Sequence, residues 1–370
     1  MVETSFKAQS LDSEKLPNGN QGYIDDLFLL KYQLKGRHNG SVNTVKFSPD
    51  GTAFATGSSD CSIKVFSLST GDCTSELIGH SQGISGVDFS PINPDVLASC
   101  SDDMTVRLWS IKRQQCIKIL KNHTYHVTAV KFNFKGNILI SASADETITI
   151  WDLVSGTSLR KLAAHSDPVA SIALTPDSSM VISGSYDGLM RIFDLETGQC
   201  LKTLTSNTSH GTATASTAET VNFPISHVES TPNGKYILSS SLDGRIRLWD
   251  YMNGKVVKTY LGPKNGEIPI CEKYCCDSIF VTKTVSPLML SGSDNSGVFA
   301  WDVQTKSIVY QYEMSSSPVL GLVSYDEGSI VACCSKEGTI SILLLNSKYI
   351  KELTENFQDN PAPTSLERNN

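Results

Sequence analysis

Seven times along its 370 residues this chain returns to the same short phrase. Trp109, Trp151, Trp249 and Trp301 each close one copy, and Phe66 and Phe193 fill the slot in "SDCSIKVF" and "SYDGLMRIF". Leu343 fills it in "SKEGTISIL". Successive copies lie 43, 42, 42, 56, 52 and 42 residues apart. Six positions before the aromatic stands Asp60, Asp103, Asp145, Asp187 or Asp243, then Asn295 and Glu337. Four positions earlier again stands Thr56, Ser99, Ser141, Ser183, Ser239, Ser291 or Cys333. In the first four copies a histidine, His38, His80, His123 or His165, precedes the acid by 22 or 23 residues. Single cores stop growing near roughly 250–300 residues, so a chain of this length needs two domains or a stack of like units. The period selects the stack.

Taken once, His165, Ser183 and Asp187 have the composition of a hydrolytic triad, but geometry and roles define a triad. An enzyme needs one nucleophile, and here the set occurs four times. Repetition marks a brace. Runs such as "VNTVKF", "AFATGS" and "IKVF" alternate with the period of two expected of strands. Asp187-Gly188 and Asp243-Gly244 read as hairpin turns. A buried aspartate beside such a turn must find partners, because an unpaired buried charge costs several kcal/mol. The spacing therefore predicts hydrogen-bonded networks of His80, Ser99, Asp103 and Trp109; of His123, Ser141, Asp145 and Trp151; and of His165, Ser183 and Asp187.

A period near 42 with His, Asp and Trp-Asp in phase is similar to the WD-repeat pattern, which implies an all-β, seven-bladed WD40 propeller. The last copy offers only three strands, while "DLFLLKYQL" at 26–34 is an apolar strand with no repeat of its own. It is expected to supply the outermost strand of the last blade and protect a sheet edge. The ring is predicted over 23–346, with an insertion at 205–223 as an exposed loop between blades four and five. Residues 1–22 and 347–370 read as flexible tails. Copies six and seven lack the histidine and are expected to have the weakest networks.

The remaining bulk properties exclude more than they assign. The net charge of −7 gives no field for gripping a phosphate backbone, so direct nucleic-acid binding is not expected. No apolar run approaches a membrane span, and the N-terminal text does not read as a secretory signal. Ten cysteines without such a signal point to a reducing compartment and free thiols. The adjacent pairs Cys275-Cys276 and Cys333-Cys334 read as buried small hydrophobes; no metal and no cofactor is expected.

Some stretches are more specific than the repeat. "AHSDPV" at 164–169, "SYDGLMRIFDLETGQCLKTL" at 185–204, "PNGKYIL" at 232–238, "WDYMNGKVVKTY" at 249–260 and "WDVQTK" at 301–306 resemble the WD-repeat protein 5 family. That family supplies the WD-repeat subunit of COMPASS and MLL-type histone H3 lysine 4 methyltransferase complexes. The departures suggest a divergent fungal member. The resemblance implies a groove between blades five and six that holds another WD-repeat subunit, at Asn233, Tyr236, Leu248, Phe280, Thr282 and Gln304. It also implies an arginine site at the channel mouth, for the catalytic subunit or a histone tail, with Ser85, Asp102, Tyr186, Tyr274, Cys275 and Asp277 at matching positions. Two positions where the family has phenylalanine read Thr128 and Asp277, however. Stacking on aromatic faces supplies much of the hold on a guanidinium, so this site is expected to be lost or altered.

The resemblance thus implies a nuclear, non-catalytic scaffold that links a second WD-repeat subunit to the SET-domain methyltransferase subunit, a monomer within a hetero-oligomer. Contact with the histone H3 tail or nucleosome would be indirect. The alternative is an adaptor or substrate receptor of another complex, such as a cullin-type ubiquitin ligase. Those propellers often carry Arg two residues after the Trp-Asp pair, where "WDLV", "WDYM" and "WDVQ" do not. A G-protein beta-subunit role would need an N-terminal coiled coil, and residues 1–26 show no heptads.

Overall fold

The computed structural model describes residues 23–205, 222–295, 297–314 and 317–350. Within them stand seven four-stranded antiparallel sheets. Blade one is typical: Val42–Phe47, Ala53–Ser58, Ser62–Ser67 and Cys73–Ile78 follow one another outward by hairpins. The first strand of each blade touches that of the next, and Val319–Tyr325 of blade seven touches Val42–Phe47 of blade one. The ring is closed.

The burial gradient explains why the strands alternate as they do. Second strands such as Ala53–Ser58 and Met180–Ser185 are buried almost throughout, whereas the outer strand Thr157–Ala163 is nearly all exposed. The core is divided into slabs between blades, not gathered in one centre. Ala55, Ile63, Val65 and Leu77 of blade one, for instance, pack against Ile84, Val87, Phe89, Leu97 and Trp109 of blade two. Each tryptophan thus serves as the mortar between its own blade and the one before it. The hairpin glycines Gly188 and Gly244 take φ 75°, as the Asp-Gly pairs predict. Cys61, Met104 and Glu146 hold the same left-handed position in blades one to three at φ 66–69°.

Closure follows the expected route. Phe28–Leu34 pairs antiparallel with Ile340–Leu345, in the register Phe28↔Leu345 to Leu34↔Ile340, making the sheet of blade seven four-stranded. Leu27, Phe28 and Leu34 are buried there. The Tyr310 hydroxyl donates to the Phe28 carbonyl at 3.2 Å, and Asn346 Nδ2 donates to Asp26 O at 2.9 Å.

The ordered ring runs past the boundary expected at 346. Ser347–Tyr349 forms a 3-10 turn, the Tyr349 hydroxyl donates to Asp26 Oδ1 at 2.6 Å, and Ile350 bridges to Thr284. Residues 347–350 therefore pack with the ring: the Tyr349 hydroxyl and Lys348 both find the Asp26 carboxylate, contacts no local pattern announces. Of the 205–223 insertion, Thr205 and Asn222 face each other at 3.3 Å. Its residues 206–221, and the expected tails 1–22 and 351–370, lie outside the described residues.

Candidate functional site

The repeated polar residues meet inside each blade. In blade two His80 Nδ1 donates to Asp103 Oδ2 at 2.8 Å, Ser99 Oγ lies 2.7 Å from His80 Nε2, and Trp109 Nε1 donates to Ser99 Oγ at 2.8 Å. A carboxylate only accepts, so the ring proton sits on Nδ1 and the serine hydroxyl donates to Nε2. Blade three repeats this chain through His123, Asp145, Ser141 and Trp151. Blades one and four keep it from Asp to hydroxyl, through His38, Asp60 and Thr56, and through His165, Asp187 and Ser183. Phe66 and Phe193 have no indole donor to complete it. The main-chain N–H after each histidine also reaches the carboxylate, as Ser81 N does to Asp103 at 3.1 Å. Each of these four histidine side chains is buried. Nucleophile, base and acid are consumed in one another, and neither of the two channel chambers is lined by them.

Blades five to seven solve the same problem differently. In blade five Trp249 Nε1 still donates to Ser239 Oγ at 2.8 Å, and Asp243 pairs with Arg247. In blade six the expected acid is displaced by one residue. Asn295 is exposed, whereas Asp294 is buried and accepts from Glu272 N at 2.7 Å and Lys273 N at 2.9 Å. Cys271, 23 residues before Asp294, stands where a histidine stands in blade two. In blade seven Glu337 is exposed, and Met314 meets Cys333 with sulfur to sulfur at 3.7 Å beside Leu343, an apolar replacement for the whole network. These two blades are rebuilt rather than simply weakened. The signal was spacing: Met314 precedes Cys333 by 19 residues, as His80 precedes Ser99.

The network has a pH signature. Burial dominates at His38 and His80 and pushes both imidazoles below their usual range, despite the carboxylates facing them. Burial also opposes the charge on Asp103, but hydrogen bonds from Thr105, His80 and Ser81 N outweigh it and hold that carboxyl at about 2. Asp60 and Asp145 are held below the carboxylate range in the same way. A depressed folded pKa means the unfolded chain takes up the proton first, so acid favours unfolding. The histidine contribution is complete above about pH 6.5 and the aspartate contribution above about pH 4. Scanning calorimetry is expected to show a level melting temperature near neutrality, a decline below about pH 6.5 and a steeper fall below about pH 4. A melt indifferent to acid over that range would contradict the assigned proton positions.

The channel carries a different set of polar groups. Its upper chamber, about 310 Å³, is lined by Ser85, Thr128, Tyr186, Cys275 and Asp277 among others. Ser85 Oγ donates to Asp102 Oδ1 at 3.0 Å, Tyr186 Oη lies 3.3 Å from Cys275 Sγ, and Asp277 faces His227 Nε2 at 3.4 Å. Tyr274 stands at the rim, its hydroxyl taken by Lys336 Nζ at 2.6 Å. The residues singled out from sequence do converge, yet the Thr128 hydroxyl is spent on the Ala142 and Val169 carbonyls.

Below them lies a belt that sequence reasoning missed. Lys46, Asp88, Lys131 and Glu229 occupy one register position on four innermost strands, opposite Ala55, Ala98, Ile140 and Leu238. The visible signal is a charge in the same place in "VKF", "VDF", "VKF" and "VES". Burial pushes Lys46 below and Asp88 above their usual ranges. Burial also opposes the charge on Lys131, but Glu229 and Asp88 more than offset it. Lys46 and Lys131 also line the upper chamber, so an entering guanidinium meets two cations and no aromatic clamp. Calorimetry with an arginine-containing peptide is expected to show no binding at micromolar concentration; micromolar affinity would show that Asp277 and Asp102 suffice.

On the other side of the ring wall, Tyr236, Leu248 and Phe280 share one apolar cluster with Trp301 and Ile308, between blades five and six. Tyr236 and Phe280 are half-buried, but Leu248 is only 5% exposed and forms the floor. It packs and does not present itself. Asn233 lies in the turn before Tyr236, accepting from the Thr231 hydroxyl at 2.8 Å. Gln304 is exposed in the neighbouring turn of blade six, where Lys258 Nζ ties blade five to the Val303 and Gln304 carbonyls at 2.7 and 3.2 Å. Thr282 gives its main-chain N–H to Glu327 O at 2.9 Å, on the side of blade seven. Phe280 has a second face. With Pro232, Phe47 and Tyr325 it lines the lower chamber of the channel, about 360 Å³.

Comparison with known proteins agrees with this architecture. The family model described as the WDR5 beta-propeller domain matches residues 33–344. Nuclear distribution protein nudF of Aspergillus flavus is 35% identical over 105 residues, 28% of this chain and 23% of that protein. Nuclear distribution protein PAC1-1 of Uncinocarpus reesii is 35% identical over 103 residues, 27% and 23% of the two chains. Nuclear distribution protein PAC1 of Arthroderma otae is 35% identical over 97 residues, 26% and 21%. Each match spans less than a quarter of the relative's own length.

Proposed function

The chain belongs to the WDR5 beta-propeller family, and from that premise we propose that it is the WD40 scaffold subunit of a histone H3 lysine 4 methyltransferase complex of the COMPASS type. It holds a second WD-repeat subunit at the groove between blades five and six, and through it positions the SET-domain catalytic subunit. The work is done in the nucleus, and its effect on methylation is indirect. One observation carries the reading. Two half-buried aromatics, Tyr236 and Phe280, sit over a buried apolar floor beside the exposed turn of Gln304. That is the form of an anchor pocket with a polar rim. The networks of blades one to four, by contrast, are internally satisfied and offer no reacting group.

The likeness to nuclear distribution proteins favours a second reading, a scaffold in an assembly of that kind. It extends over about a quarter of the chain, whereas the family match runs through the whole ring. Affinity purification of the tagged full chain, followed by mass spectrometry, separates the two. Recovery of a SET-domain methyltransferase with a second WD-repeat protein supports the first; recovery of nuclear distribution factors without any methyltransferase overturns it. Methyltransferase activity of the purified chain alone would overturn the scaffold assignment altogether.

A further inference from the structure

Blade six replaces the histidine–serine chain of blades one to four with two thiols gathered about its acid. Cys271, Cys276 and Asp294 are all buried, and their two sulfurs and one carboxylate oxygen lie within 4.8 Å of one another. We propose that these three residues form a binding site for a soft divalent cation of the zinc class, which clamps the 261–277 segment to the turn after Leu288–Gly292.

The donor set is the first argument. Two thiols and a carboxylate match the ligands zinc takes in proteins, with bonds of about 2.3 Å to sulfur and about 2.0–2.2 Å to oxygen. Ligand atoms around such an ion stand roughly 3.3–3.8 Å apart, so small side-chain rotations bring these donors to bonding distance. Four residues separate Cys271 from Cys276, a spacing at which one loop presents both sulfurs to one point.

Orientation is the second. Glu272 N and Lys273 N both donate to Asp294 Oδ2, at 2.7 and 2.9 Å, while Oδ1 is the oxygen turned toward Cys276 Sγ, at 3.9 Å. Main-chain donors therefore fix the carboxylate from behind and leave its other oxygen facing the sulfurs, the arrangement by which an outer shell sets a metal ligand. The Gly292 carbonyl lies 3.4 Å from Cys271 Sγ, and it or a solvent molecule completes the fourth position.

The third argument is what blade six lacks. In blades one to four a histidine ring bonds the acid of the turn and ties the preceding loop down. Cys271 takes the ring's place here, and a thiol is a weak donor. A cation bridging Cys271, Cys276 and Asp294 restores that tie with coordinate bonds, each thiol releasing its proton to solvent as it binds. Tyr274 and Cys275, which lie between the two ligand cysteines, are thereby set at the channel mouth.

The test uses the full chain, reduced with a phosphine and freed of chelator, titrated with Co²⁺ and then Zn²⁺. One equivalent of Co²⁺ is expected to give sulfur-to-metal charge-transfer absorption and the visible bands of a tetrahedral ion, which Zn²⁺ bleaches. Zn²⁺ should also raise the melting temperature, reversibly with chelator. Cys276→Ser and, as a second small replacement, Cys276→Ala should lose both the charge-transfer intensity and the metal-dependent rise. Asp294→Asn, which can still accept from both main-chain N–H groups, should weaken binding without melting the ring. A variant lacking the exposed Cys73 and Cys200 (both as Ser) should behave as the parent does. Absence of stoichiometric binding overturns the proposal, as does an unchanged spectrum in the Cys276 variants. So does loss of the bands with the exposed cysteines, which would identify surface thiols as the source.

Discussion

Removal of residues 23–34 is expected to lower the melting temperature by about 10 °C or more and to reduce the soluble yield. Leu27, Phe28 and Leu34 are 1%, 3% and 9% exposed; the first two leave the slab between blades six and seven, and Leu34 leaves that between blades seven and one. Burial of such a side chain contributes about 1.5–3 kcal/mol, so the three together account for roughly 5–9 kcal/mol. In a chain of this size 1 kcal/mol moves the melt by about 2 °C. The deletion also exposes "ISILLL", a strand edge without a charge, whose free main-chain groups are open to pairing with other molecules. Leu29 and Leu30 lie on the same strand but are each 50% exposed, so replacing both with serine should shift the melt by no more than a few degrees. A full-length melt from the truncated chain would mean that blade seven is closed by something other than this strand.

The same contrast between repeated and singular contacts explains what could be read from the residues beforehand. The ring was legible because its bracing elements recur at fixed intervals. Asp103, Ser99 and His80 are uninformative alone, and become informative only when Asp145, Ser141 and His123 repeat them. The closing strand was legible by subtraction, since one copy lacked a strand and one strand lacked a copy. What escaped depends on compensation in space. Asp294 does the work expected of Asn295 because the turn of blade six is shaped so that the earlier residue meets Glu272 N and Lys273 N. Met314, Cys333 and Leu343 replace a polar network with an apolar one, so a search for polar letters passes over them. Lys46, Asp88, Lys131 and Glu229 gain meaning only when four separate strands face a common axis.

The candidate groove was legible in part, and for a physical reason. A half-buried tyrosine and an internal one look alike as letters, because both alternate with polar neighbours along a strand. Only the ring's geometry separates Tyr236 and Phe280, which reach the surface, from Leu248, which lies beneath them.

Replacing both Tyr236 and Phe280 with alanine should abolish retention of the second WD-repeat subunit while leaving the ring folded. Aromatic anchors at the centre of an interface cost about 2 kcal/mol or more each when truncated. Two such losses amount to roughly 4 kcal/mol, a weakening on the order of a thousandfold. Both rings are half-buried, so the double variant also loses some packing against Trp301 and Ile308, and a thermal melt must show it still folded. Val154→Ala, at a side chain 84% exposed on blade three, is the neutral comparison. Tyr325→Ala resolves the two faces of Phe280. Tyr325 lines the lower chamber and is not part of the blade five–six cluster. If the partner occupies the groove, Tyr325→Ala leaves retention intact; if it enters the lower mouth of the channel, Tyr325→Ala weakens retention as much as Phe280→Ala does. Undiminished retention by the double variant, with the fold preserved, would remove the groove as the partner's anchor.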